Sequence, residues 1–227
     1  MDIKWQCAEV DNELVKFNPV KIEPVGVWED ESELVKFLGL AASMSRRSEN
    51  TYEACLKRVL YCIKKGHHSV LEHANFSVIL HCDRGTTHAI VRHRHCAFTQ
   101  SSTVYGKIDS KLEVIDLPVH DPITGDKIQE ITEREIKSYE DMELNYRDLT
   151  KHGLWAERTR DHLPTSFSSE IFMTTNLREW IYFIQRRKDP TTSVRIHCVA
   201  VLLEELFEER YPTLYNAMLK WYEEHPL

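Results

Sequence analysis

Glycine is scarce in this sequence, with seven in 227 residues. Loops that wrap a phosphate in main-chain N–H groups depend on clustered glycines, and neither a G-x-G-x-x-G fingerprint nor a G-x-x-x-x-G-K-[ST] loop occurs. A G-x-S-x-G nucleophile elbow is missing as well. Six cysteines are present, Cys7, Cys55, Cys62, Cys82, Cys96 and Cys198, yet none forms a C-x-x-C pair, and residues 1–5 carry no apolar signal region. The thiols therefore read as reduced, in a cytoplasmic protein. No apolar run approaches the ~18 residues of a membrane span, so a soluble chain is expected. Positive charge is in deficit: 29 Lys and Arg face 36 Asp and Glu, for a net charge of -7. General nucleic-acid binding, which rests on neutralising phosphates, is a poor fit to that balance. A local basic site for one small anion remains open.

The length suits a single domain over residues 1–227. Residues 1–28 mix β-branched and polar residues with Pro19 and Pro24 and read as short strands. Leu34, Val35, Phe37, Leu38, Leu40 and Ala41 recur at helical spacing and predict a helix over 31–45. A second helix is expected over 51–65, ended by Gly66, and a strand over 73–82. Gly85 punctuates before a short helix over 88–91. A strand at 112–115 precedes turns through Pro118, Pro122 and Thr124-Gly125. The pattern then predicts a long charged helix over 127–151, a shorter one ending near Pro164, a strand over 166–174, and helices over 176–187, 191–210 and 213–224. Helices and strands interleave without βαβ spacing. The fold class is α+β, a modest and mostly antiparallel sheet flanked by long helices.

Three clusters carry chemistry. Arg92-His93-Arg94-His95 follows the apolar pair Ile90-Val91, and the polar stretch Thr99-Gln100-Ser101-Ser102-Thr103 comes just after it. Arginine forks suit phosphate and polarised carbonyl oxygens, and hydroxyls suit phosphate too; a solvated basic turn is the plainer reading. The stretch 66–73 holds His67, His68, Glu72 and His73, but its H-x-x-x-E-H spacing misses both zinc-protease patterns, so no metal is assigned. On a helix over 176–187, Leu177, Trp180, Ile181 and Ile184 share one side, while Arg178, Tyr182 and Gln185 share another. Arg187 stands at its end. Arg160, ahead of His162-Leu163-Pro164, means nothing alone.

Together these blocks resemble the flavin-dependent thymidylate synthases. Arg92-His93-Arg94, seven residues, then Ser102 matches that family's RHR-x7-S signature. The GH-x5-H block from Gly66 to His73 and the N-x-R block of Asn176 and Arg178, with Arg187 nine residues on, stand in the family's order. Arg160 four residues before Pro164 also matches. The resemblance implies an FAD enzyme, a homotetramer with the flavin held where subunits meet. It also implies reductive methylation of dUMP to dTMP, with methylene-tetrahydrofolate as carbon donor and NADPH as reductant. It places His67, Ser69, Glu72, Arg92, His93, Arg94, Gln100, Asn176, Arg178 and Tyr182 around the cofactor. Arg92, Gln100, Ser101, Ser102, Thr103, Val104, Arg160 and Arg187 fall around the nucleotide. The resemblance makes Arg187 the catalytic residue, expected to stabilise charge that develops on the uracil ring without an enzyme nucleophile. A related C5 modification of a pyrimidine nucleotide, such as hydroxymethylation, is the alternative.

The chain departs from the family in places. Val104 stands before Tyr105 where many members have Arg then Tyr, Ala89 where a Gln meets the nucleotide, Tyr182 where Asn or His meets the flavin, and Thr191 and Ser193 where His and Gln are usual. The flavin and uracil residues are kept, while the nucleotide-phosphate end is altered, with Lys107 available to replace the lost arginine. Val104→Arg is accordingly expected to tighten dUMP binding in an equilibrium titration; unchanged or weaker binding overturns that reading.

Overall fold

The computed structural model describes residues 10–44, 49–103 and 111–226. Its centre is a four-stranded antiparallel sheet in the order β2-β3-β6-β4. Strand β3 (Asn75–Asp83) and strand β6 (Ser168–Asn176) pair along nine residues, from Asn75 opposite Asn176 to Asp83 opposite Ser168. Alternation dictates the faces: Phe76, Val78, Leu80 and Cys82 of β3 are buried, with Ile171 and Met173 of β6 beside them. One edge is β2 (Lys21–Gly26), where Pro24 sits next to a register shift. That is the place a sheet tolerates a residue without an N–H donor. The other edge is β4 (Ala97–Gln100), paired to β6.

Helices cover the buried face. Helix α1 (Glu31–Ser43) starts at Asp30, whose carboxylate accepts from the Ser32 N–H at 2.8 Å. Helix α2 (Tyr52–Lys64) starts at Thr51 and ends before Gly66, whose positive φ of 71° favours glycine. A 3-10 turn over His68–His73 then leads into β3. A short helix α3 (Arg84–Ile90) follows β3, capped by Asp83. Helix α6 (Leu177–Arg187) leaves β6 directly, buries Leu177, Trp180, Ile181, Phe183 and Ile184, and fixes Trp180 by its Nε1–H to the Phe76 carbonyl at 3.2 Å. Helices α7 (Val194–Arg210) and α8 (Pro212–Glu224) complete the layer.

A satellite core lies apart from this one. Strand β1 (Val15–Asn18) pairs in parallel with β5 (Leu112–Ile115), and helix α4 (Glu133–Lys151) packs on the pair through Tyr139, edge-on to Phe17 at 5.5 Å. Helix α5 (Ala156–Thr159) and a 3-10 turn at Arg160–His162 return the chain to β6.

The α+β class and the strand at 112–115 stand as expected. The long helix begins six residues later than its apolar pattern suggests. Ile128 N–H is spent on the Val119 carbonyl, and Thr132 with Glu135 forms a reciprocal cap that sets the start at Glu133. Helix α7 likewise starts at Val194 instead of 191, because Asp189 ties the Thr191 and Thr192 N–H groups into a turn. The two central strands are displaced by two residues toward the C-terminus at their starts, since 68–73 winds into a 3-10 turn and 166–167 still belong to a turn closed on Pro164. Gly85 lies inside α3 and breaks nothing. Strand β4 was not foreseen: its four residues, Ala97-Phe98-Thr99-Gln100, are too short a run to show a strand pattern, and the pairing with β6 makes it. Part of the strand region at 1–28 and Ser45 fall outside the described residues. Among those described, no helix is long and apolar enough to cross a membrane.

Helices α1 and α2 meet at Gly39. A methyl group there would stand 2.7 Å from the Cys55 Cα, a backbone atom that cannot turn aside. Gly39→Ala is therefore expected to cost about 1–3 kcal/mol. The measurement is a thermal melt, in which Tm should fall by roughly 2–4 °C for each of those kcal/mol; an unchanged Tm would show that the helices part freely.

Candidate active site

The β3–β6 ladder ends where three distant sequence blocks meet. At Asn75 and Asn176 the two strands part; Leu177 N–H reaches back to the Ala74 carbonyl at 2.8 Å, and the Thr175 hydroxyl holds the His95 carbonyl at 2.8 Å. Block 66–73 enters there, block 92–95 lies alongside, and α6 leaves. A cavity of about 1040 Å³ opens over this junction, lined by His68, Glu72, Arg92, His93, Arg94, His95, Asn176, Arg178, Glu179, Tyr182, Arg186, Arg187, Trp221 and Tyr222. Five arginines face two glutamates, so the pocket attracts anions although the whole chain is acidic.

His93 sits at the hub, with 6% of its side chain exposed. Its Nε2 accepts from Arg187 Nε–H at 2.9 Å, and its Nδ1 lies 3.4 Å from Glu179 Oε1. The Phe183 ring packs against it at 4.6 Å. Burial, helped by the adjacent Arg187 charge, pushes His93 down to about 4, so it is neutral near pH 7. An arginine N–H is only ever a donor; Nε2 must then carry the lone pair, and Nδ1 the proton directed at Glu179. Arg187 is anchored a second time through Nη2 to the Ala89 carbonyl, 2.8 Å away in the last turn of α3. Among the described residues, two of its five N–H groups are thus used to hold it, which leaves three for a ligand. Burial, then Arg92 and Arg186, lowers its affinity for its own proton.

At the outer wall, Arg178 pairs with Glu72 at 2.5 Å with both partly exposed. The Asn176 side chain caps α6 by accepting from Glu179 N–H at 3.0 Å. Trp221 and Tyr222 of α8 close one side; Trp221 lies edge-on to His68 at 4.4 Å, and buried His68 has its Nε2 against the Ile63 carbonyl at 3.1 Å.

Of the residues singled out from sequence, Glu72, Arg92, His93, Arg94, Asn176, Arg178, Tyr182 and Arg187 line this cavity. His67, Ser69, Gln100, Ser101, Ser102, Thr103 and Arg160 do not, and Val104, Tyr105 and Lys107 lie outside the described residues. His67, just before the 3-10 turn, and Ser69, on it, are exposed. Gln100 donates to the Thr87 and Ser169 hydroxyls at 2.7 and 3.1 Å. Ser101 Oγ lies 3.2 Å from Ser169 Oγ and accepts from Glu170 N–H. Gln100 pairs with Ile171, five residues before Asn176, which is about 17 Å along the strand. Gln185 turns from the pocket to the Tyr215 hydroxyl. His68 and His95, which belong to the sequence clusters but were given no role, also line the cavity, and Glu179, Arg186, Trp221 and Tyr222 do so without having been foreseen. Glu179 follows Arg178 directly, and an acid in the first turn of a helix reads as an ordinary partner of the helix dipole. Trp221 and Tyr222 carry no motif at all.

A family model described as "Thymidylate synthase complementing protein" matches residues 27–213. The flavin-dependent thymidylate synthase of Pyrococcus furiosus is 33% identical over 166 residues, covering 72% of this chain and 66% of that protein. The one from Pyrococcus abyssi is 32% identical over 183 residues, 79% of this chain and 71% of its own. Among solved structures, a UMP/dUMP methylase, PolB, from Streptomyces cacaoi bound with 5-Br dUMP has a TM-score of 0.71 at 21% identity, covering 91% of this chain and 97% of that one. At that identity the likeness speaks for the fold.

The neutral state of His93 is measurable. Because its folded value lies below the unfolded ~6.5, the unfolded chain takes up the proton first, and stability falls as pH drops from about 6.5 toward 4. Between pH 5 and 8 the His93 Cε1–H resonance, assigned against His93→Gln, is expected to stay constant; a midpoint near 6.5 would mean an exposed imidazole.

Proposed function

The chain belongs to the flavin-dependent thymidylate synthases, and we propose that it methylates C5 of dUMP to give dTMP, with FAD as the resident cofactor, NADPH as reductant and methylene-tetrahydrofolate as carbon donor. The observation that carries the proposal is Arg187, fixed by His93 and Ala89 with its remaining N–H groups free in an arginine-lined cavity.

The residues present fit a flavin dinucleotide. Its pyrophosphate needs fixed positive charge, which Arg92, Arg94, Arg178 and Arg186 offer, and Tyr182, Trp221 and Tyr222 offer flat surfaces for rings. When bound, the flavin supplies the hydride chemistry that side chains lack. The work of the chain is electrostatic. Arg187 faces the uracil carbonyl edge and stabilises the negative charge that develops as C5 becomes nucleophilic. It is too weak an acid to serve as a proton shuttle near pH 7. Among the described residues, no cysteine or serine lines the cavity, and burial pushes the nearby Cys96 thiol up to about 11. That composition supports activation without an enzyme nucleophile.

Gln100, Ser101, Ser102, Thr103 and Arg160 belong to the proposed dUMP site together with Val104. The absence of Gln100, Ser101, Ser102, Thr103 and Arg160 from the lining of the Arg187 cavity within one chain supports a homotetramer, in which one copy offers the hydroxyl-rich strand end and another the arginine pocket. A cytoplasmic location is part of the same proposal.

The test is to purify the protein, record flavin absorbance near about 450 nm, add the three substrates without oxygen and weigh the nucleotide. dTMP confirms the proposal, and Arg187→Ala should lower its formation by about 100-fold or more with FAD retained. Hydroxymethyl-dUMP would keep the family and change the reaction. Colourless protein that takes up no FAD would refute it.

A further inference from the structure

We propose that Glu179 is a positioning residue for Arg187, acting through His93 in a one-way chain of hydrogen bonds. This rests on the function proposed for Arg187. The geometry runs Glu179 Oε1, His93 Nδ1 at 3.4 Å, then Arg187 Nε at 2.9 Å from His93 Nε2, with Arg187 Nη2 at 2.8 Å from the Ala89 carbonyl.

Each link constrains the next. Imidazole has two tautomers, and a free neutral ring exchanges between them. Arg187 removes the choice, since its Nε–H meets a lone pair only if the ring proton is on Nδ1. That proton then needs an acceptor in a place with little water, because the His93 and Glu179 side chains are 6% and 15% exposed. Glu179 is the acceptor. Without it, an unpaired buried N–H at Nδ1 costs about 1–3 kcal/mol, and moving the proton to Nε2 relieves that cost while setting two donors against each other. The guanidinium then loses one of its two anchors and swings on the other.

Glu179 itself stands among charges from several elements. His93, His95 and Cys96 face it from the segment after α3, Arg178 from its own helix, and Tyr222 from α8. Burial raises its proton affinity above the usual carboxylate range, with His95 and Arg178 opposing. A protonated Glu179 still offers a carbonyl oxygen but no charge, and a neutral acceptor binds Nδ1–H roughly half as strongly. Arg187 is held firmly above the Glu179 transition and less firmly below it. The acid is part of the helix cap as well: its N–H is bonded by Asn176, so the backbone at 179 is set independently of the side chain.

Three proteins and two readouts test this. The full-length wild type, Glu179→Ala and Glu179→Gln are loaded with FAD and compared for dTMP formation from pH 5.5 to 9, and the His93 ring nitrogens are examined by 15N NMR. At pH 8, Glu179→Ala should lose about 10- to 100-fold in kcat with FAD affinity within a few fold of wild type, the scale expected when a reacting group is misplaced by an ångström. Glu179→Gln keeps an acceptor and should lose only about threefold. An acidic limb caused by Glu179, with the wild-type rate falling toward the Gln level as the carboxylate is protonated, should be absent from Glu179→Gln. The nitrogen shifts should report Nδ1–H in wild type and Glu179→Gln, and a tautomer mixture in Glu179→Ala. The inference is overturned by Glu179→Ala turning over like wild type, by Glu179→Gln being no better than Ala, or by an unchanged tautomer in Ala. A wild type that binds FAD yet makes no dTMP would refute the proposed function alone, and the NMR comparison still decides the relay.

Discussion

Everything at the site depends on the register between β3 and β6. Nine matched pairs run without a slip and end together at Asn75 and Asn176. A one-residue slip would turn every side chain of either strand to the opposite face. It would also shift the start of α6 against the 3-10 turn before β3, and so Arg178 against Glu72. The register is specified by burial on one side, where Phe76, Val78, Leu80, Ile171 and Met173 have no alternative face. The core thereby sets the geometry of the chemistry: apolar residues in the middle of two strands decide where charged residues at their ends stand.

The site concentrates charge that the rest of the chain opposes. Arg92, Arg94, Arg178, Arg186 and Arg187 gather in one cavity of a protein with a net charge of -7. Mutual repulsion among them is eased because three have separate attachments. Arg187 is tied to a neutral imidazole and a carbonyl, Arg178 to Glu72, and Arg186 pairs with Asp189 at 3.6 Å. Beyond Arg187 the chain is held by buried His197, which lies 2.8 Å from the Asp121 carboxylate and 2.9 Å from the Asp189 carbonyl. The guanidinium is therefore braced from the site side and from the loop that follows it.

Much of this was legible in the sequence, for reasons that can be named. Strand 112–115 and helices α1, α2, α6 and α8 follow from apolar periodicity and their caps, which are local. Arg92, His93, Arg94, Asn176, Arg178 and Arg187 were found because spaced motifs mark them. Strand β4 was not legible, because a four-residue edge is made by its partner and not by its own composition. The start of α4 was legible in Thr132 and Glu135 but was outweighed by Ile128 and Ile131, which lie in the segment before it, Ile131 packed against the satellite core. Glu179 was hidden by a plausible local role at a helix start. Trp221 and Tyr222 were hidden by distance, over 120 residues from Arg92 and His93, whose pocket they close.

The wall formed by α8 lies past residue 213, where the family match stops. A small molecule that fills only the arginine-lined floor meets Arg92, His93, Arg94 and Arg178, all inside the stretch that the family model matches. One long enough to lie against Trp221 and Tyr222 reaches surface outside that shared stretch. Reach across the pocket is therefore what carries a ligand from the matched stretch onto the wall formed by Trp221 and Tyr222.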